Sequence, residues 1–483
     1  MPGAVFSSAG VALRFCDSSS GMPLEKASLC LFLEADRRSK EGSEPARREE
    51  VAATPHASRT ARRPAGKKLM RILKLGPGLI TGASDDDPSG IATYSQVGAQ
   101  FGYGMLWTML FSYPLMAAIQ EISARIGRVT GAGIAGNIRR HYPKAVLYAV
   151  ISLLLVANVF NLGADIGAMG AAAKLLLPGP AGIYIVLFGG LSLSLEVLVS
   201  YIKYVKYLKW LTLALLAYVA TAIVVGEPSA QAIRATFLPS LSFRGGYFTA
   251  LIAVLGTTIS PYLFFWQASQ EVEEVRVHAD EEPLTQAPRQ APAQFQRIKF
   301  DTYLGMAFSN LVAFFIILTT AATLHVHGIS YIQTADQAAM ALEPLAGRFA
   351  SLLFAAGIIG TGLLAVPVLA GSAAYAVSEA FRWSASLQRE PKQAMKFYGT
   401  IGIATLIGLT LNFLRLNPIK ALFWSAVLNG VVAVPVMTFM MILARNRKVM
   451  GQFRLPLYLQ LAGWLATAVM LFASVGMIVT LRP

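Results

Sequence analysis

Three consecutive carboxylates, Asp85, Asp86 and Asp87, precede Pro88, Ser89 and Gly90 inside an otherwise apolar stretch, LGPGLITGASDDDPSGIATYSQVGAQ. A single charge at the centre of a bilayer costs ~2.5–3.5 kcal/mol on insertion scales, and three cost more. Proline removes an amide donor and clashes with the preceding turn, so the helix breaks here. Broken backbone at membrane depth is tolerated where it is buried in protein or lines a cavity. Carboxylates at such a break fit best as ligands for a cation. The plainer alternative is a loop between two short pieces, but neither piece alone is long enough to cross.

A second stretch, YFTALIAVLGTTISPYLFFWQASQEVEE, repeats the design with Thr257, Thr258 and Ser260 ahead of Pro261. A lone proline in a membrane helix is ordinarily only a kink. Here the two breaks fall in the first span of each of two sets of five. Interrupted helices at matching places in two halves point to an inverted repeat with the site at its interface. Carbonyls freed at the breaks, near Ser84 and Thr257, would offer neutral oxygen ligands.

The elements that must position these residues are membrane helices. Of 483 residues, 55% are hydrophobic and only 14% charged, against about 25% charged in a soluble domain. The apolar residues come in blocks such as LYAVISLLLVANVF (147–160), approaching the ~20 residues that span a hydrocarbon core. Eleven spans are expected, near 75–100, 104–126, 146–177, 181–201, 206–225, 246–271, 300–325, 349–379, 398–414, 418–444 and 457–480. Lys and Arg concentrate in alternate loops, at 125–144, 203–209, 276–299, 382–396 and 445–454. These loops and Lys67–Lys74 should therefore face the cytoplasm, with the C-terminus outside. An integral protein of a bacterial inner membrane is expected, its surroundings the lipid bilayer and its state monomeric. The net charge of +15 reads as topology, not as a nucleic-acid surface. Cys16 and Cys30, both near the N-terminus, are the only cysteines, so the apolar region has no thiolate site. Residues 1–69 read as a disordered cytoplasmic tail or an over-extended start, since Met70 opens a basic lead-in; residues 70–483 form the transmembrane domain. The polar segment 272–298 reads as a flexible cytoplasmic connector, and 328–347 as a short amphipathic surface helix.

At these residues the chain resembles the Nramp family of divalent metal transporters, and its motif pattern is similar to the Nramp-related magnesium transporter branch. Asp87-Pro88-Ser89-Gly90 falls where the family has Asp-Pro-Gly-Asn. QEISARIGRVTG (120–131) resembles the family's Gln-x-Leu-Ser-Ala-Arg-Leu-Gly-x-Val-Thr-Gly segment. Thr257-Thr258-Ile259-Ser260-Pro261-Tyr262 falls where the family has Ala-Thr-Val-Met-Pro-His. The resemblance implies an all-α LeuT-type inverted repeat, spans 1–5 and 6–10, with broken helices 1 and 6. It implies a metal site at Asp87, Ser84, Gly90, Thr257 and Ser260, with Asp85, Asp86, Tyr262, Gln267 and Asn429 around it or in its vestibule. The departures matter as much. The asparagine ligand maps to Gly90, the methionine ligand to Ser260, and the alanine offering a carbonyl to Thr257. Soft thioethers favour transition metals, while hard cations take oxygen and keep water. The altered set suits a partly hydrated ion, so Mg²⁺ is expected, with Mn²⁺ as co-substrate and Fe²⁺ open.

In the third span the family's aspartate and glutamate linked to proton movement map to Asn161 and Ala164, with Asp165 one step on. These make Asn161 and Asp165 candidates for an ion pathway. The family's sixth-span histidines map to Tyr262 and Gln267. Neither Asn nor Gln titrates, and Tyr does not near neutral pH. Passive uptake is therefore an option: an inside-negative potential favours a divalent ion by ~4.6 kcal/mol per 100 mV. Three other readings remain: a proton-coupled Mn²⁺/Fe²⁺ symporter, a sodium-coupled carrier of the same fold, and a membrane metal sensor. No HExxH, no GxSxG and no resident cofactor is indicated, so an enzyme is not expected. His325 and His327 read as a hydrated loop pair, Glu121–Arg125 as a structural pair, and Asp165 and Glu196 as intramembrane carboxylates with functional potential.

Overall fold

The computed structural model describes residues 77–199, 211–242, 246–278, 280–387, 389–414 and 416–480. The expected tail, both cysteines and the basic cluster 203–209 lie outside them. All regular structure among the described residues is helical.

The two expected breaks are present, and proline chemistry explains both. Helix α1 (Pro77–Asp85) stops and α2 (Pro88–Phe101) begins at once. Pro88 occupies the first turn of α2, where a missing N–H costs nothing, and Asp87 caps that turn with extended backbone, φ −72° and ψ 169°. Further along, α3 (Trp107–Thr130), α4 (Ile134–His141), α5 (Lys144–Leu176), α6 (Ala181–Leu198), α7 (Leu216–Val225) and α8 (Ala230–Phe237) follow. Helix α9 (Tyr247–Thr258) then breaks at Ile259 and Ser260 before α10 (Pro261–Val277), again with proline opening the second piece. The rest are α11 (Ala291–Thr320), short α12 (Ala335–Ala339) and α13 (Glu343–Ala346), α14 (Ala350–Phe381), α15 (Met395–Leu411), α16 (Pro418–Arg445), short α17 (Arg447–Met450) and α18 (Leu457–Thr480).

Among the described residues, eight helical stretches are long and apolar enough to cross a membrane. The most apolar 18-residue portion of the broken stretch Tyr247–Val277 is entirely buried, whereas Ala181–Leu198 is 22% buried. The interrupted helices therefore form the centre, and α6, α15 and α18 the periphery. Peripheral Ile183, Leu187, Ile403, Leu406, Leu461 and Leu465 are exposed, as lipid-facing side chains must be. Close backbone approach fixes the broken helices. A Cβ on Gly82 of α1 would lie 2.4 Å from the Gly305 carbonyl carbon of α11, and one on Gly256 of α9 would lie 2.1 Å from the Ala426 oxygen of α16. Small residues at such crossings let helices pack by van der Waals contact where no hydrophobic drive exists between them.

Two expectations need correction. The segment 272–298 is solvated through its middle, as expected, but it is not a free connector. Helix α10 continues to Val277 and α11 starts at Ala291. Between them, the Leu284 and Thr285 amides donate to the carbonyls of Arg128 and Val129, each at 3.2 Å. Glu281 pairs with the fully buried Arg128 at 2.8 Å, and Leu284 is itself buried. One apolar anchor and one buried cation needing a partner override the polar composition. Within 328–347 the chain forms α12 and α13 rather than one helix, with Ala335, Ala338, Ala339 and Leu342 buried, which keeps the amphipathic character.

Candidate metal-binding site

Asp87 stands at the break of the first helix and is 2% exposed. Its Oδ1 accepts from the Gly90 amide at 2.7 Å and the Ser89 hydroxyl at 2.6 Å, the local bonds of an N-cap. Its Oδ2 faces the other helices and accepts from Asn161 Nδ2 of α5 at 3.0 Å and the Tyr262 hydroxyl of α10 at 3.3 Å. One oxygen holds the backbone turn, and the other joins three helices. The Asn161 carbonyl oxygen in turn accepts from Ser425 of α16 at 2.7 Å.

The carbonyl freed at Ser84 is reached by the Tyr262 hydroxyl at 3.4 Å, so the two breaks meet through Tyr262. Gly90 lies beside Tyr94, whose ring carbon would be 3.3 Å from a Cβ there. Tyr94 continues to Thr257 of α9, hydroxyl to hydroxyl at 2.9 Å. The Ser260 hydroxyl turns back onto the Gly256 and Thr257 carbonyls at 2.7 and 2.8 Å. The Thr257 carbonyl is therefore partly used by Ser260 and not wholly free, because a serine next to a helix end can cap it.

Other expected neighbours lie elsewhere. Asp85 and Asp86 do not open onto a vestibule: they are 1% and 2% exposed and turn toward α11, where Ser309 Oγ lies 2.5 Å from Asp85 Oδ2 and 3.0 Å from Asp86 Oδ1. One hydroxyl carries one proton, so it donates to one of the two at a time. Gln267 accepts from Thr81 of α1 at 2.5 Å and makes no hydrogen bond to Asp87. Five residues beyond Tyr262, it is displaced ~7.5 Å along the helix and rotated about 140°. Asn429 is buried with its carbonyl oxygen unpaired and no bond to the break. Asp165, one turn along α5 from Asn161, is fully buried with both oxygens unpaired. Glu196 is likewise unpaired but lies on α6, near the undescribed stretch. Glu121 and Arg125 form the structural pair expected, at 2.7 Å. His325 and His327 turn their rings to backbone carbonyls of Ala99 and Thr323.

Tyr94, Ser309, Ser425 and Asp301 are neighbours that sequence reasoning missed. Asp301 of α11 accepts from the Gly78 and Leu79 amides at 2.7 and 3.2 Å, satisfying donors at the start of α1 that have no partner within the helix. An acidic residue at the edge of an apolar span was the available signal for it. Toward the other end of α2, a cavity of about 420 Å³ runs from Ala92 past Gln96 and Gln100 to Trp424 of α16. Across it lies the strap 330–333, held by Gln96, which donates to Ser330 O at 3.0 Å and accepts from the Ile332 amide at 2.9 Å.

Among the described residues, no three His, Cys, Asp or Glu side chains converge to hold an ion. A cation at the break would meet the Asp87 carboxylate together with the neighbouring amide, hydroxyl and carbonyl oxygens.

A family model, "Natural resistance-associated macrophage protein-like", matches residues 78–480. Among solved structures, a point mutant of the Eremococcus coleocola manganese transporter superposes with a TM-score of 0.66 at 16% identity, over 86% of this chain and 87% of that one. The same transporter in complex with an aromatic bis-isothiourea substituted compound gives 0.64 at 16% identity, over 88% of each chain. Mhp1, a nucleobase-cation-symport-1 family transporter in a closed conformation with bromovinylhydantoin bound, gives 0.53 at 12% identity, over 84% and 93%. At such identities the structures establish the fold: an all-α membrane protein of LeuT type with broken first and sixth helices. The match along most of the sequence establishes the rest: the chain belongs to the Nramp family of transporters.

Proposed function

We propose that the chain moves a divalent metal ion across a membrane by alternating access, with Asp87 as the anionic ligand. The observation that supports this most is the position of Asp87 Oδ2, which faces α5 and α10 from the break between α1 and α2. The Ser84 carbonyl and the hydroxyls of Thr257 and Ser260 would complete the shell with retained water, and Gly90 takes the place of the family's asparagine ligand with no side-chain donor of its own. An all-oxygen donor set favours Mg²⁺, with Mn²⁺ as co-substrate. The neighbouring structures are of a manganese transporter, which keeps a proton-coupled Mn²⁺/Fe²⁺ symporter as the second reading. Asn161 in contact with Asp87 cannot exchange a proton, which supports uptake driven by the membrane potential alone. In this reading residues 1–69 are a cytoplasmic tail, eleven spans follow, the C-terminus is outside, and the unit is a monomer.

The test is ion uptake into proteoliposomes with a pH dye inside, under an imposed inside-negative potential. Mg²⁺ uptake without internal acidification, competed by Mn²⁺, is expected. Uptake of Mn²⁺ or Fe²⁺ alone with matching acidification selects the second reading, and absence of any divalent uptake rejects both.

A further inference from the structure

Among the described residues, most buried carboxylates outside the break have visible partners, Glu196 on the peripheral α6 apart. Glu121 is held by Arg125, Glu271 by Arg297, Asp301 by two amides of α1, and Glu379 by the Gly133 and Gly136 amides. Asp165 has none. It is fully buried, no side chain donates to either oxygen, only the Ser89 amide of the break lies beside it, and no ion pair among the described residues includes it. An isolated carboxylate in a dry interior is strongly unfavourable unless a cation compensates it.

Its place on α5 says which cation. Residues four apart share a helix face. Asn161, one turn before Asp165, is bonded to Asp87. Met169, one turn after, packs at Gly362 of α14, whose neighbouring space is also bounded by Pro88. Asp165 thus faces the broken segment between two residues that lie against it, beside the Ser89 amide and within electrostatic reach of Asp87. Asp85 and Asp86, by contrast, are turned to Ser309 on α11.

We propose that Asp165 is a second anionic contributor to the ion site, supplying from α5 the negative charge that Asp87 alone leaves missing against a divalent cation. This rests on reading the break as the ion site. A monovalent cation would be balanced by Asp87 alone; a divalent one needs both, and Asp165 acts across retained water or through space. The pair makes the loaded site neutral and penalises a singly charged competitor less than a doubly charged one when Asp165 is lost.

The test uses the full chain in lipid nanodiscs, titrated calorimetrically with MgCl₂ and with MnCl₂ and melted with and without each salt. Asp165→Asn is expected to weaken both ions by about tenfold or more and to reduce the ion-induced rise in Tm. The ion-free Tm should hold or rise, because an unpaired buried charge is gone. Asp165→Glu, which keeps the charge, should bind within about threefold of the original. Original affinity in Asp165→Asn overturns the proposal, as does equal loss in Asp165→Glu and Asp165→Asn. Asp87→Ala separates the two levels: if it abolishes binding while Asp165→Asn does not weaken it, only the role of Asp165 falls. If Asp87→Ala also binds normally, the site itself is misplaced.

Discussion

The Asn161 carboxamide donates to Asp87 Oδ2 at 3.0 Å, while its own carbonyl oxygen accepts the Ser425 hydroxyl at 2.7 Å. A single amide therefore ties the broken first helix to α5 and α16. A bond to a charged acceptor is worth ~1.5–3 kcal/mol. Asn161→Ala should raise the KM for the transported ion by about 10- to 100-fold on that scale. Uptake kinetics at varied ion concentration check this, and an unchanged KM shows that the bond does not position Asp87.

Ser260 stands where a thioether would change the softness of the site. Its hydroxyl caps the Gly256 and Thr257 carbonyls, so Ser260→Met both adds sulfur and frees oxygen. The ratio of Mn²⁺ or Cd²⁺ uptake to Mg²⁺ uptake should rise. A constant ratio across competition assays contradicts the account of selectivity.

Asp301 holds the start of α1 by accepting from the Gly78 and Leu79 amides. Removing it strands two donors, each at a cost of ~1–3 kcal/mol if they stay buried. Asp301→Ala should therefore loosen α1 from α11. A cysteine introduced by Thr81→Cys should then react with a maleimide several-fold faster than in the Asp301 background. Equal rates would show that glycine packing alone holds α1.

The strap 330–333 lines the cavity beside α2 and is held by both the nitrogen and the oxygen of the Gln96 carboxamide. In Gln96→Ala the Ile332 amide loses its acceptor, and its hydrogen exchange should speed up by about tenfold for each ~1.4 kcal/mol lost. Exchange at the original rate would place the restraint elsewhere, for instance at the bond from Asn417 to Gln333 O.

Much of this was legible in the sequence because proline acts locally. Pro88 and Pro261 each open a helix where the residue types say they must, and the carboxylates before Pro88 mark the depth at which something positive is wanted. What could not be read is which faces meet. Ser309, Tyr94 and Ser425 are ordinary hydroxyl residues until packing brings them to Asp85, Thr257 and Asn161. Correspondence of sequence puts Gln267 around the site or in its vestibule, and only packing shows that its side chain accepts from Thr81. The acidic, proline-containing connector hid one apolar residue, Leu284, that fixes it against the bundle.

The most direct measurement is divalent ion uptake by Asp87→Ala in proteoliposomes, with folding checked by its melting curve. Asp87 offers the one carboxylate oxygen at the break that faces both α5 and α10. Its loss should abolish Mg²⁺ and Mn²⁺ uptake in a protein that still folds. Full uptake by the folded variant would contradict the account at its root.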